Sequence, residues 1–133
     1  MVNEVQELEA FKRSYALAME IYKITLSFPK EERYALTSQI RRSSRSVSLN
    51  LCEAWAKRRY EPHFISKLTD CDGENVETAT SLFFARDCQY VTLEKATELL
   101  ARNREVGRLI GAMLKSPSTW TIKPASCPLP PDP

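Results

Sequence analysis

Apolar residues recur every three or four positions along most of the chain, which is the spacing of helices that bury one face. Four such stretches follow one another, at residues 4–27, 29–58, 61–89 and 92–115. Pro29 and Pro62 stand near the starts of the second and third stretches, where proline is tolerated because the first helical turn leaves its N–H groups unbonded. Thr92 is a suitable N-cap for the fourth. The pattern predicts four long helices.

The breaks between these stretches are only a few residues long, so successive helices should lie antiparallel. The sequence therefore predicts an all-α fold, an up-down-up-down antiparallel four-helix bundle over residues 1–116. Residues 117–133 hold six of the eight prolines and are expected to form a Pro-rich C-terminal tail outside the core. Trp120 is the one expected anchor of this tail, capping the end of the bundle.

The second predicted helix has an unusual composition in its middle, where the sequence is SQIRRSSRSVSLNLCEAW. On a heptad repeat, six residues alternate at spacings of four and three, as in a seam that faces neighbouring helices: Leu36, Ile40, Ser43, Val47, Asn50 and Ala54. Arg41, Arg42 and Arg45 lie off this seam. The stretch is therefore predicted to be a core helix with a basic side, and not a disordered basic arm.

The second and third predicted helices carry opposite charge. Residues 30–59 hold eight cations and three acids, a net charge of +5, and residues 61–89 hold six acids and two cations, a net charge of −4. In one interpretation the two helices, or their copies in a neighbouring subunit, pair these charges; in the other, part of the basic side binds phosphate. The best phosphate candidates are Lys57, Arg58 and Arg59 at the helix end. Those better placed for pairing between helices or subunits are Arg41, Arg42 and Arg45.

The whole chain of 133 residues has a net charge of only +2, so it is not a uniformly basic coat for nucleic acid. No secretory signal is visible at the N-terminus, and no apolar run approaches the roughly 20 residues of a membrane span. The four cysteines form no CxxC pair, and Cys52 and Cys88 are expected inside helices as small apolar residues. These observations favour a cytoplasmic protein without a membrane partner.

The residue types offer little support for catalysis or metal binding. His63 is the only histidine, which excludes a two-histidine metal site. Asp70, Glu74 and Glu77 share a helical face but lack the Glu-x-x-His pairs of a dimetal helix bundle. No enzyme activity, metal or other cofactor is therefore expected. The spacing of Arg58 and His63 resembles the R-x(4–6)-H motif of the HEPN ribonucleases, which leaves a ribonuclease as a third alternative.

The stretch FPKEERYALTSQIRRSSRSVSLNLCEAW, residues 28–55, resembles the signature of the 23S rRNA intervening-sequence proteins, also called four helix bundle proteins. The matching positions are Phe28, Pro29, Glu32, Tyr34, Leu36, Gln39, Ile40, Arg41, Arg42, Ser46, Val47, Asn50, Leu51 and Glu53. Residues 57–92 look like one branch of that family, and RLIGAMLKSPSTW is similar to its closing stretch. The family often has proline at Ser48 and glycine at Ala54, so both departures favour an uninterrupted second helix here.

The resemblance implies a bundle that assembles as a ring of five subunits. It also implies kinship to the accessory proteins of diversity-generating retroelements, which bind a reverse transcriptase and contact nucleic acid. We therefore expect a non-catalytic homopentamer that binds RNA or DNA through its basic second helix, with a reverse transcriptase as a further partner. The alternative is an oligomeric scaffold with no role in nucleic-acid binding.

Overall fold

The computed structural model describes residues 2–122, and four α-helices form the body of the protein within them. They are α1 (Glu9–Thr25), α2 (Leu36–Ala56), α3 (Glu61–Asp87) and α4 (Leu93–Lys115), with single 3-10 turns at Val5–Glu7, Lys30–Glu32 and Pro117–Thr119. Helix α2 contacts α1 and α3, and α4 contacts α3 and α1, so each helix packs against two neighbours around the bundle. The predicted all-α four-helix bundle is confirmed.

Buried apolar side chains from all four helices meet in one main core. Its largest fully buried members are Ile21, Ile40, Leu51, Phe64, Leu68, Leu82, Leu99 and Ile110. Because burying one side chain of this size contributes about 1.5–3 kcal/mol, this core is the main source of cohesion between the helices. A smaller cluster of Phe28, Leu36 and Ala85 lies where the α1–α2 and α3–α4 connections meet. None of the helices within residues 2–122 has both the length and the apolar composition needed to cross a membrane.

Small polar side chains on the inner face of α2 join it to both neighbouring helices. The hydroxyl of Thr78 on α3 donates to Ser43 at 2.9 Å, and the hydroxyls of Ser14 on α1 and Ser48 are also 2.9 Å apart. These four residues are buried, so the bonds satisfy groups that water does not reach. Five of the six predicted seam residues are buried; the exception is Asn50, whose amide bonds the backbone one turn back.

A pair of buried asparagines joins α3 to α4. The amide of Asn75 donates to the backbone carbonyl of Asn103, and the amide of Asn103 donates to the carbonyl of Asn75, both at 3.0 Å. A Cβ atom at Gly107 would lie 3.1 Å from Nδ2 of Asn75, closer than most side-chain contacts. The glycine, one turn along α4 from Asn103, thereby leaves room for this reciprocal pair.

Helix α2 begins seven residues later than predicted, at Leu36 rather than Pro29. Pro29 is extended, residues 30–32 form a 3-10 turn, and Ala35 has φ −123° and ψ −106°, outside the helical region. The prediction was wrong because no side chain from 30 to 35 is buried, so no apolar stripe holds these residues against the core. Instead, the carboxylate of Glu32 accepts from the N–H of Leu36 at 3.3 Å and caps the helix.

Helix α1 also begins later than predicted, at Glu9 instead of residue 4. Leu8 is extended and buried, which turns the preceding residues away from the helix axis. The backbone carbonyl of Asn3 accepts a hydrogen bond from the indole N–H of Trp55 at 3.3 Å. Contacts with the end of α2 therefore replace helical bonds in this segment.

Residues 117–122 fold back on the same end of the bundle. The ring of Trp120 packs edge-on against Trp55 with centroids 6.5 Å apart, and the N–H of Ile122 donates to the carbonyl of Arg58 at 3.1 Å. Trp120 thus caps the bundle as expected. The rest of the predicted Pro-rich tail, residues 123–133, lies outside the described residues.

Candidate nucleic-acid interface

The basic residues of α2 differ in what their side chains contact. Arg42 forms ion pairs with two acids of α3, at 2.7 Å from Glu77 and 3.8 Å from Glu74. Burial and the neighbouring Glu77 raise the pKa of the Glu74 carboxyl, and the guanidinium of Arg42 acts against this rise. Arg42 therefore offsets the repulsion between two acids, as the charge-pairing interpretation predicts for this residue.

Arg41 and Arg45 lie beside α1. The Nε of Arg41 donates to the hydroxyl of Thr25 at 2.8 Å, and its guanidinium is 4.9 Å from the ring centre of Tyr22. The guanidinium of Arg45 lies 5.8 Å from the same ring, although the side chain is exposed. The three mid-helix arginines thus contact their own bundle and do not form one open cationic patch.

Arg58, at the turn after α2, is also committed to its own chain. Its guanidinium lies 3.8 Å from the ring centre of Trp55, and its Nη1 atom is buried with no hydrogen-bond partner among residues 2–122. The sequence grouped Arg58 with Lys57 and Arg59 as phosphate ligands. The structure separates it from them, because Arg58 is only partly exposed and its buried Nη1 group is not open to a phosphate arriving from solvent.

Lys57 and Arg59 are exposed, and neither forms an ion pair with a carboxylate of the described residues. The nearest acids along the chain bond other groups: Glu53 pairs with Lys67 at 2.8 Å, and Glu61 accepts a hydrogen bond from the hydroxyl of Thr121 at 3.2 Å. Two exposed rings stand beside these cations: Tyr60 and His63, with centroids 4.5 Å apart and planes at 81°. We call Lys57, Arg59, Tyr60 and His63 the basic end.

The pairing of Tyr60 with His63 was missed by sequence reasoning. The two residues are three positions apart across the start of α3, a spacing that brings side chains together on a helix. That spacing is the signal that could have revealed the pair. Apart from its use in excluding a two-histidine metal site, His63 was considered with Arg58, in the ribonuclease alternative. The structure places the side chains of His63 and Arg58 against different aromatic rings, Tyr60 and Trp55.

The acidic and thiol groups show no arrangement typical of a metal centre. In the part of the chain that the structure describes, no three His, Cys, Asp or Glu side chains are placed to hold a metal ion. Cys71 is buried among apolar groups, which raises the pKa of its thiol to about 12. Cys88 was expected inside a helix, but it is exposed at the C-cap of α3, because the chain turns away there.

Comparisons with known proteins agree with this fold. A family model described as "23S rRNA-intervening sequence protein" matches residues 6–112. A crystal structure of a protein of unknown function from the S23 ribosomal protein family of Bacteroides thetaiotaomicron superposes with a TM-score of 0.74. The two are 24% identical over 80% of this chain and 96% of that chain, so the match shows a shared fold alone. A search of curated proteins gave no match. Because the family model spans most of the sequence, the chain belongs to the 23S rRNA-intervening sequence protein family.

Proposed function

We propose that this protein is a non-catalytic, homo-oligomeric module that binds RNA or DNA through the basic end. The observation that carries the proposal is the contrast among the cations of the second helix and the turn after it. Arg41, Arg42 and Arg58 are held by their own chain, whereas Lys57 and Arg59 are exposed without an ion pair among the described residues. Exposed cations can contact the phosphates of a nucleic acid, and exposed aromatic rings beside them can stack on its bases.

The test is a salt titration of the binding of a fluorescent RNA to the intact protein. Removing two phosphate contacts with Lys57→Ala and Arg59→Ala should flatten the slope of log affinity against log salt by about 2. The matched control is Lys30→Ala with Arg33→Ala. It removes the same charge from two exposed residues at the opposite end, beside Glu31 and Glu32, and should leave the slope unchanged.

Two outcomes would contradict the nucleic-acid proposal. One is binding that does not depend on salt or cannot be detected with the intact oligomer, which favours the scaffold alternative. The other is an equal loss in both double variants, which would show a response to total charge rather than to the basic end. Ribonuclease activity that disappears on His63→Ala would instead favour the enzyme alternative.

Assembly with further copies of the chain, into the five-subunit ring that the family resemblance implies, is supported by two apolar surfaces. A groove of about 300 Å³ between α1 and α2 is lined by Phe11, Tyr15, Met19 and Leu49, among others. The outer side of α3 exposes Val76, Phe83 and Phe84. Because these surfaces belong to different helices, docking one into the other joins copies head to tail. Head-to-tail contacts close into a ring when the rotation between neighbouring copies is a whole fraction of a turn.

Glutamate substitutions at exposed residues of the two surfaces test this mode of assembly. Leu49 is 61% exposed and Phe84 is 60% exposed, so Leu49→Glu and Phe84→Glu should each leave the bundle folded. Each variant alone should be a monomer in sedimentation velocity. A mixture should form a heterodimer, since one intact groove meets one intact α3 surface. A Phe84→Glu variant that still assembles fully would contradict head-to-tail docking.

A reverse transcriptase is the further partner that we propose, on the resemblance to retroelement accessory proteins alone. Gene neighbourhood tests this part most directly. An adjacent reverse transcriptase gene with a template repeat would support it, whereas location inside a host 23S rRNA gene would argue against it. The binding and assembly experiments do not depend on this outcome.

A further inference from the structure

Tyr60 presents an aromatic ring to solvent from a well-anchored backbone. Its side chain is 56% exposed, yet its N–H donates to the carbonyl of Lys57 at 3.2 Å. Its own carbonyl accepts from the N–H groups of His63 and Phe64, at 3.0 Å and 3.1 Å. Residue 60 is thus fixed at the start of α3, while its ring lies outside the core.

The side-chain contacts of Tyr60 give no structural reason for its ring to be held at this position. Within residues 2–122 its hydroxyl has no hydrogen-bond partner, and its one aromatic neighbour is His63, itself exposed. The interplanar angle of 81° is that of an edge-to-face pair, which orients the two rings without enclosing either of them. An oriented, exposed pair of this kind leaves ring surface available for a flat partner.

Nucleobases are such partners, and their accessibility depends on the form of the nucleic acid. Each base has a π-face that stacks on aromatic side chains, whatever the sequence. In a duplex those faces are already stacked on neighbouring base pairs, so stacking platforms act on loops and single strands. Lys57 and Arg59 lie three and one positions before Tyr60, close enough for a strand to contact cations and ring together.

We propose that Tyr60, oriented by His63, stacks on unpaired bases, so that the basic end selects single-stranded over double-stranded nucleic acid. The inference rests on the proposed function, because Lys57 and Arg59 supply the attraction to the backbone. It adds a preference that cations alone do not provide, since phosphates are present in single strands and duplexes alike.

The experiment compares single-stranded RNA, single-stranded DNA and duplex RNA of about 15 nucleotides at one salt concentration. The wild-type protein should bind the single strands about tenfold more tightly than the duplex. Tyr60→Ala should weaken single-strand binding by about fivefold or more and leave duplex binding and the salt slope unchanged. Tyr60→Phe keeps the ring and should retain the preference.

Tyr34 provides a matched control at the other end of the molecule. It is 87% exposed and also stands beside a cation, with the guanidinium of Arg33 at 5.4 Å from its ring centre. Tyr34→Ala should change neither single-strand nor duplex binding. An equal effect of Tyr34→Ala and Tyr60→Ala would overturn the assignment of the stacking site to Tyr60.

The remaining outcomes separate this inference from the proposed function. Equal affinity for single strands and duplexes, with binding still dependent on Lys57 and Arg59, overturns the single-strand preference alone. A single-strand preference that survives Tyr60→Ala overturns the role of Tyr60. Absence of salt-dependent binding to any of the three probes overturns both proposals. A preference for single-stranded RNA over single-stranded DNA would show that the sugar is also recognised.

Discussion

The turns that precede and follow α2 have similar exposed residues but different surroundings. The α1–α2 connection exposes Lys30, Arg33 and Tyr34, and the α2–α3 connection exposes Lys57, Arg59 and Tyr60. They lie at opposite ends of the bundle, because α2 runs between them. In the first turn, two glutamates separate the cations; in the second, the three basic residues are consecutive.

The glutamates of the first turn do more than balance charge. Glu32 accepts a hydrogen bond from the hydroxyl of Tyr90 at 2.8 Å and another from the N–H of Leu36. The ring of Tyr90 in turn lies 5.4 Å from that of Phe28. We call Phe28, Glu32, Leu36 and Tyr90 the closed end. Its polar and aromatic groups serve folding, whereas those of the basic end are exposed and are the ones that we propose bind nucleic acid, so residue type alone does not distinguish the two roles.

The largest expected difference between the two ends is in stability. Phe28 is 9% exposed and packs in the smaller cluster, so Phe28→Ala should lower the free energy of unfolding by about 3 kcal/mol through lost burial and a cavity. Tyr60→Ala, an exposed substitution, should change it by no more than about 0.5 kcal/mol. Urea denaturation checks both values. A similar loss of stability in the two variants would show that Tyr60 contributes to folding as much as Phe28 does.

Arg58 offers a second way to sharpen the comparison, since it lies between Lys57 and Arg59 in the sequence but packs on Trp55. Arg58→Ala removes the stacking on Trp55 and should cost about 1 kcal/mol of stability. We expect the salt slope of RNA binding to stay at its wild-type value. Arg59→Ala should show the reverse pattern, a flatter slope with unchanged stability. A flatter slope in Arg58→Ala would restore Arg58 as a phosphate ligand.

The sequence predicted the helices and the inner face of α2, because helical periodicity is a local property. It also placed Arg41, Arg42 and Arg45 off the seam. It did not show which groups those arginines contact, since their partners on α1 and α3 are 16 to 35 positions away. The start of α2 was mistaken because residues 30–35 bury no side chain, and the contact that holds Glu32 outside the helix comes from Tyr90, 58 positions further along the chain.

Alkaline pH should weaken the closed end. The hydrogen bond to the Glu32 carboxylate, which only a protonated phenol can donate, raises the pKa of Tyr90 to about 12. An unfolded tyrosine has a pKa of about 10, so the folded state holds this proton more tightly. The stabilisation from this hydrogen bond is therefore complete below a pH of about 10 and is lost as the pH rises through about 12. Thermal melts of the wild type should fall more steeply over that range than those of Tyr90→Phe. Parallel curves would contradict this role for the bond.

The smallest expected effect concerns the turn between α3 and α4, which places Tyr90 at the closed end. Gln89 has φ of 61°, and the N–H groups of Gln89 and Tyr90 bond the carbonyls of Arg86 and Ala85, which is a Schellman ending of α3. Glycine adopts this left-handed conformation without the strain that a Cβ atom brings. Gln89→Gly should therefore stabilise the protein by about 0.5–1 kcal/mol, and calorimetry should show a slightly higher melting temperature. RNA binding at the basic end should be unchanged, because the two ends share no residue. A loss of stability would mean that the Gln89 side chain contributes more than its backbone strain costs.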